Sequence, residues 1–525
     1  MNKFFKIILF LIIFIFYWNL SNRIENRTEA EDIYEYATMV EEGNSHHWFY
    51  HKHHLIFGPT MHYLYKFINS FGYQFSSLDL MRLASSLAAT ATLFLFFLFC
   101  YKRYSLRPIS SALATFTFGI MYGFVRYSAE AEIPIIATFF MIGSIYFLTS
   151  QKSSYNIYFL GIILSIISVL MHIMNAVAVF VALPLFLIMQ SRFKFLIIYL
   201  IINISIFVFV YYSTNQLTEL FNSSQPTLSY LTISDFLKGI VAFLQSLISF
   251  DFVLGFSFIR EYLGELFPTR MLQEEFYFGE RLKLSYIIFS SVTFILLTFV
   301  SMYAFIKSIK LWNTAFIDKE KLLPPDGRSS FILPIIFFIS YASLLLFIEP
   351  GNPELWVMGL MPFALLLCGL IFVPLTYDNK LWVPFLAVIL LFIHNTNALS
   401  ALQDSSKDYN YQKSKDYLKI SKKNDVVLTA ANPVFERHLR YHSLSKVIYL
   451  YNHKLENILL NKNIVRADNI YILGDVFNTH SSMKNRFPKK TKEIEDFSKK
   501  IKNQCFKISE NEFGGIYKLI IKEKK

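Results

Sequence analysis

TEAEDIYEYATMVEEGNSHHWFYHKHHLIFGPTMHYLYKF, residues 28–67, is a charged, histidine-rich stretch set between two runs that are almost wholly apolar, 4–20 and 78–100. A helix needs about 20 apolar residues to cross the hydrocarbon core of a bilayer. The stretch therefore reads as a loop that leaves the membrane and returns to it on the same side. Further runs of the same kind lie at 108–126, 133–150, 156–172, 174–190, 194–213, 284–306, 331–348, 355–376 and 381–397. The expected fold is a polytopic α-helical membrane protein with about eleven transmembrane helices. Composition agrees: 54% of the 525 residues are hydrophobic, and only 18 glycines and 16 prolines exclude collagenous and linker-rich chains.

The net charge of +12 is placed unevenly, because residues 398–525 carry 25 Lys and Arg against 14 Asp and Glu. In that tail short β-branched and aromatic runs, DVVLTA (425–430), KVIYLY (446–451), NIYILGD (469–475) and GGIYKLII (514–521), alternate with polar stretches of helical character such as 482–504. The chain is thus expected to comprise a transmembrane domain, 1–397, with extracytoplasmic loops 21–77 and 214–283, and a small C-terminal soluble α/β domain, 398–525. The basic excess suits a solvated surface or anionic headgroups. The first run follows Lys3 and Lys6 but lacks a small-x-small cleavage site, and is read as an uncleaved anchor.

With the N-terminus in the cytoplasm, the short cytoplasmic loops hold Lys102, Arg103 and Arg107, then Lys152, then Arg192 and Lys194, then a group from Lys307 to Arg328, and Lys380. The opposite face receives 21–77, the loop 126–132, the turn at His172, 214–283, the loop 349–354 and the tail. Segment 237–258 contains Lys238, Gln245 and Asp251 and reads as an interfacial or re-entrant helix; as a twelfth span it would invert everything after it. Three cysteines make no disulfide framework, and the lack of CxxC, HExxH or a phosphate-binding GxxxxGKS/T loop disfavours zinc-protease and ATP-driven chemistry. Abundant Lys, Asn, Ile and Phe suggest an AT-rich genome and a bacterial inner (plasma) membrane.

Chemistry concentrates on the extracytoplasmic face. In the first loop, helical spacing places Asp32 and Glu35 on one side, and a partly desolvated carboxylate there acts as a general base, holds a cation, or is an ordinary solvated acid. The same loop holds His46, His47, His51, His53, His54 and His62, six of 12 histidines. Imidazoles bind metals, donate hydrogen bonds to phosphate, or pack. No ligand set closes in the sequence, so the metal stays unassigned and a divalent cation is the one cofactor the pattern allows. Arg126, Glu130 and Glu132 crowd a short loop at hydrocarbon depth, where ions must be paired or serve a site. Arg126 with Glu130 is the structural pairing at i,i+4. His172 and Asn175 share a tight turn, and Glu349 and Glu354 flank a Pro-Gly-Asn-Pro turn, as substrate contacts or as rim structure.

These features together resemble the GT-C superfamily of membrane glycosyltransferases, particularly the protein mannosyltransferase and aminoarabinose transferase type. The resemblance rests on an acidic motif after the first span, EDIYEYATMVEEG (31–43), an acidic loop after the third, RYSAEAEIP (126–134), a His/Asn turn, MHIMN (171–175), and a soluble C-terminal domain. It covers the membrane portion of the chain. It implies inverting transfer of a sugar from a polyprenyl-phosphate carrier to an extracytoplasmic acceptor, whether glycan, lipid or protein, among membrane lipids and with no nucleic acid as partner. The family's Asp-Glu pair stands here as Glu31-Asp32, in reversed order; the spacing to Tyr36 and Gly43 favours Asp32 as the base. Candidate substrate contacts are Glu130, Glu132, His53, His172 and Glu349, and the groups available to stabilise charge on the phosphate are Arg126, Arg260, Arg270 and the histidines around His54, among which only geometry can choose.

Three rivals stay open: a transporter or flippase for lipid-linked glycans, a polymerase or ligase for the same substrates, and a scaffold. A transporter would place ionisable groups within several spans, whereas here the polar residues gather at one face.

Overall fold

An apolar segment in lipid satisfies its backbone by forming an α-helix. Each apolar run is helical in the computed structural model, which describes residues 3–24, 32–150, 155–216, 232–267, 272–315, 325–460, 464 and 466–520. Among the described residues six helices are long and apolar enough to cross a membrane: Ser77–Lys102, Phe193–Ser213, Leu284–Asn313, Phe331–Ile348, Pro353–Tyr377 and Trp382–Ala401. A seventh arises if the bent pair Pro108–Gly119 and Tyr122–Ala129 is one span. The other four runs form the shorter apolar helices Ile7–Arg23, Ile133–Leu148, Tyr155–Met171 and Ile173–Met189. Eleven crossings therefore stands as a proposal.

Contacts divide the chain into two units. The first comprises 1–24, 38–252 and 285–401 and contains the apolar helices. Ser77–Lys102 and Pro353–Tyr377 are its inner members, with 61% and 72% of their most apolar windows buried, against 17% for Phe193–Ser213 and 28% for Leu284–Asn313. Those outer helices expose Ile201, Phe209 and Phe299, side chains that only a lipid surround makes stable in such number.

The bend of 69° between Pro108–Gly119 and Tyr122–Ala129 frees backbone carbonyls in an apolar setting. Side chains capture them: Tyr17 Oη donates to Gly119 O at 2.8 Å and Asn395 Nδ2 to Ile120 O at 2.7 Å. A kink whose backbone groups are re-satisfied in this way is stable within a membrane. Segment 237–258 is no continuous span. A helix Ile233–Leu247, opened by a Thr232–Asp235 capping box, gives way to extended backbone at Ile248 and a turn Asp251–Gly255. At 15 residues it reaches about 22 Å, short of a bilayer core of about 30 Å.

The second unit comprises 25–37, 253–284 and 402–525, so the start of the first-loop acidic motif, up to Ala37, and part of the long loop group with the tail. Five strands, β1 (Val426–Thr429), β2 (Lys446–Tyr449), β3 (Ile470–Leu473), β4 (Cys505–Asn511) and β5 (Gly514–Leu519), form one mixed sheet in the order β2-β1-β3-β5-β4. The first three are parallel; β5 and β4 add antiparallel. Alternation sends Val426 and Leu428 to one face, under helix Pro488–Ile501, and Val427 to the other, under Pro433–His442. Strand β4 is absent from the sequence reading because as an edge strand it is largely exposed, and the helix expected at 482–504 is interrupted at Phe487 before Pro488.

Candidate active site

In the second unit the acidic motif is met by arginines from the tail. Helix Pro433–His442 starts on the Asn432 cap, whose side chain accepts from Phe435 N at 2.7 Å. It buries Val434, Phe435 and Leu439, which leaves Arg437 and Arg440 one turn apart on another face. Arg437 is ion-paired to Asp32, and its Nε lies 3.8 Å from Glu35. Arg440 reaches Glu35 at 3.3 Å and donates from Nε to Glu436 at 2.9 Å. Tyr34 packs its ring against His438 and His442, at 5.1 and 5.3 Å, and aligns the motif with the helix. Burial raises the Glu436 carboxyl against the opposing pull of Arg440, and burial with the nearby His442 holds His438 neutral.

Arg260 belongs to the same unit but turns back on its own loop, donating to Leu254 O at 2.6 Å, with Glu280 at 4.0 Å. Glu31 and Arg270 lie outside the described residues.

In the first unit the pairing of Arg126 with Glu130 is present, Nε to Oε1 at 3.1 Å, and both side chains are buried. It extends into a network that the sequence did not reveal. Arg126 Nη1 donates to Tyr122 Oη at 3.3 Å, Tyr122 Oη donates to Asp251 at 2.5 Å, and Gln245 Nε2 donates to Asp251 at 2.8 Å. Gln245 also accepts from Phe250 N at 2.7 Å, so the break after Ile233–Leu247 is what turns Asp251 towards Tyr122. Glu130 Oε2 is buried with no hydrogen-bond partner among the described residues. Glu132, at the N-cap of Ile133–Leu148, is fully buried. Among the described residues the carboxylates buried here outnumber the guanidiniums, which favours a cation there.

The histidines divide into groups. His53, His54 and His172 do come together: the His54 and His172 rings are 4.6 Å apart, those of His51 and His53 5.0 Å, and Ile173 N bonds His53 O at 2.9 Å. Burial first, and mutual repulsion second, depress these rings, His51 to about 4 and His172 to about 3. His53 and His54 are lowered too, mainly by burial. They are neutral at pH 7, able to donate one N–H or to ligate a metal but not to offer positive charge to phosphate. His62 instead bonds Val40 O at 2.7 Å, and Asn175 bonds Ser168 at 2.6 Å, both structural ties. Glu349 is exposed just beyond helix Pro325–Ile348.

Sequence reading missed Arg437, Arg440, Tyr122 and Gln245 as site residues. The one available signal was the FERHLR pattern, which puts two arginines on one side of a short amphipathic helix.

No family model matches the sequence, and no curated protein matches it either. Among solved structures the chain is similar to ArnT from Cupriavidus metallidurans bound to undecaprenyl phosphate, with 9% identity, 99% of each chain covered and a TM-score of 0.55. It is also similar to ArnT from the same organism in the apo state, with 9% identity, 98% of each chain covered and a TM-score of 0.48. At such identity the likeness is one of fold: the chain has an ArnT-like fold, apolar helices with a small C-terminal mixed-sheet domain.

Proposed function

We propose that this protein is a polytopic membrane glycosyltransferase that moves a sugar from a polyprenyl-phosphate donor to an acceptor on the extracytoplasmic face. The observation that carries this reading is the fold likeness, spanning 99% of both chains, to a protein whose structure holds undecaprenyl phosphate. The polar groups support it. An acceptor hydroxyl is a poor nucleophile until its proton is being removed, and Asp32 is the general base we assign to that step, with Glu31 beside it in sequence. Attack from the face opposite the phosphate inverts the anomeric carbon, and the phosphate departs with the electrons of the broken C–O bond. The sugar phosphate is already activated, so no nucleotide is consumed.

Arg126, Glu130, Glu132, His53, His54, His172, Arg260, Arg270 and Glu349 remain proposed substrate contacts. The unpartnered Glu130 oxygen suits a divalent cation, whose chemistry would be to neutralise charge on the departing phosphate. We place the active site and the C-terminal domain outside a bacterial inner membrane.

The test is transfer of radiolabel from a panel of polyprenyl-phosphate sugars by purified protein in lipid, wild type beside Asp32→Asn, with cell-envelope extract as acceptor. Transfer lost in the variant supports the reading. An active Asp32→Asn protein removes Asp32 from the base role. Absence of transfer from intact donors by folded wild type moves the weight to a lipid-linked-glycan transporter.

A further inference from the structure

Among the described residues of the second unit three carboxylates meet two guanidinium groups: Asp32, Glu35 and Glu436 against Arg437 and Arg440. They are not equally held. The Asp32 side chain is 31% exposed, whereas Glu35 and Glu436 are 5% and 4% exposed. Arg440 is gripped by both buried acids, which anchors it. Arg437 has its shortest contact with the most exposed acid and lies beyond hydrogen-bond distance of Glu35 at 3.8 Å. When an outside anion competes for a guanidinium, the carboxylate nearest to water leaves most easily, because water compensates its lost partner.

Resting on the donor class proposed above, we infer that Arg437 binds the donor's phosphate and that its partner alternates. Asp32 occupies the guanidinium in the empty protein; the phosphate of a polyprenyl-phosphate takes its place and releases the Asp32 carboxylate towards the acceptor hydroxyl. The donor's phosphate, a diester between sugar and lipid, carries one charge and presents two free oxygens, so it matches the guanidinium fork as a carboxylate does. The exchange imposes an order, because the carboxylate is engaged until the donor arrives. Donor binding then precedes activation of the acceptor. Arg437 thereby joins Arg126, Arg260 and Arg270 as a proposed contact to the phosphate.

The experiment measures binding of undecaprenyl phosphate to the full chain in nanodiscs, for wild type, Asp32→Asn, Arg437→Gln and the double variant, with thermal unfolding recorded for each. Asp32→Asn, which frees Arg437 of its charged competitor, is expected to bind more tightly by about tenfold; Arg437→Gln is expected to bind more weakly by a similar factor, and the double variant to match Arg437→Gln. Arg437→Lys keeps the charge without the fork and is expected to fall between wild type and Arg437→Gln, which separates loss of binding from loss of folding. Equal binding by all variants, with wild type binding well, overturns the exchange and leaves the transferase reading intact. No binding by folded wild type overturns the donor class as well. Displacement of the lipid by inorganic phosphate at comparable concentration assigns the site to free phosphate and overturns the donor assignment.

Discussion

Arg126 with Glu130 and Arg437 with Asp32 are both arginine–carboxylate pairs, yet they are built in opposite ways. The first joins residues four apart at the end of one short helix and is buried on both sides, 1% and 0% exposed. The second joins residues 405 apart and keeps 18% and 31% of its side chains exposed. A wholly buried pair is permanent, because parting it strands a charge in a low-dielectric setting. A partly wet pair opens at small cost and exchanges partners. The contrast assigns a fixed electrostatic frame to the first unit and a replaceable contact to the second.

The comparison breaks first at Asp32. Asp32→Asn is expected to lower transfer by at least about a hundredfold while expression and monodispersity stay near wild type, as initial rates in lipid will show. Next in size is Arg126→Gln, which leaves Glu130 buried without its cation and should destabilise the fold by about 3–5 kcal/mol, read from thermal unfolding in detergent. A double replacement, Arg126→Met with Glu130→Leu, should recover most of that loss; failure to do so would mean the pair serves more than packing.

Acidification tests the first unit from another side. The rings of His51, His53, His54 and His172 titrate in the folded chain below the ordinary value of 6.5, held neutral chiefly by burial. The unfolded chain therefore takes up protons first. Stability is whole above about pH 6.5 and falls as pH drops below it, by up to about 1.4 kcal/mol per pH unit for each fully buried ring. Unfolding temperatures between pH 7.5 and 5.5 should show this slope, and His172→Gln should flatten it. The smallest effect sharpens the contrast: Arg437→Gln is expected to cost about 1 kcal/mol or less, since Arg440 still holds Glu35. A loss as large as that of Arg126→Gln would show that the two pairs are equivalent.

Legibility followed the range of the interaction. The eleven apolar runs, the strands at 426–429, 446–449, 470–473 and 514–519 and the i,i+4 pairing of Arg126 with Glu130 were all readable, since each depends on neighbours within one or two turns. Segment 237–258 was legible as something other than a plain span because Lys238, Gln245 and Asp251 interrupt it, but not the break at Ile248 that turns Asp251 to Tyr122. Strand β4 escaped because an exposed edge strand need not carry the apolar alternation that burial demands.

The amino-acid sequence alone determined where helices and strands lie and which loops hold the acids and histidines. Hydrophobic period and helical spacing are local, and the bilayer makes them nearly obligatory. Only the tertiary structure decided that Asp32 faces Arg437, that Arg260 is turned to its own loop and that the His53, His54 and His172 group is dry and neutral. Electrostatic partners and desolvation depend on atoms brought together from distant parts of the chain, and a carboxylate is the same residue in sequence whether it meets water, a guanidinium or another carboxylate.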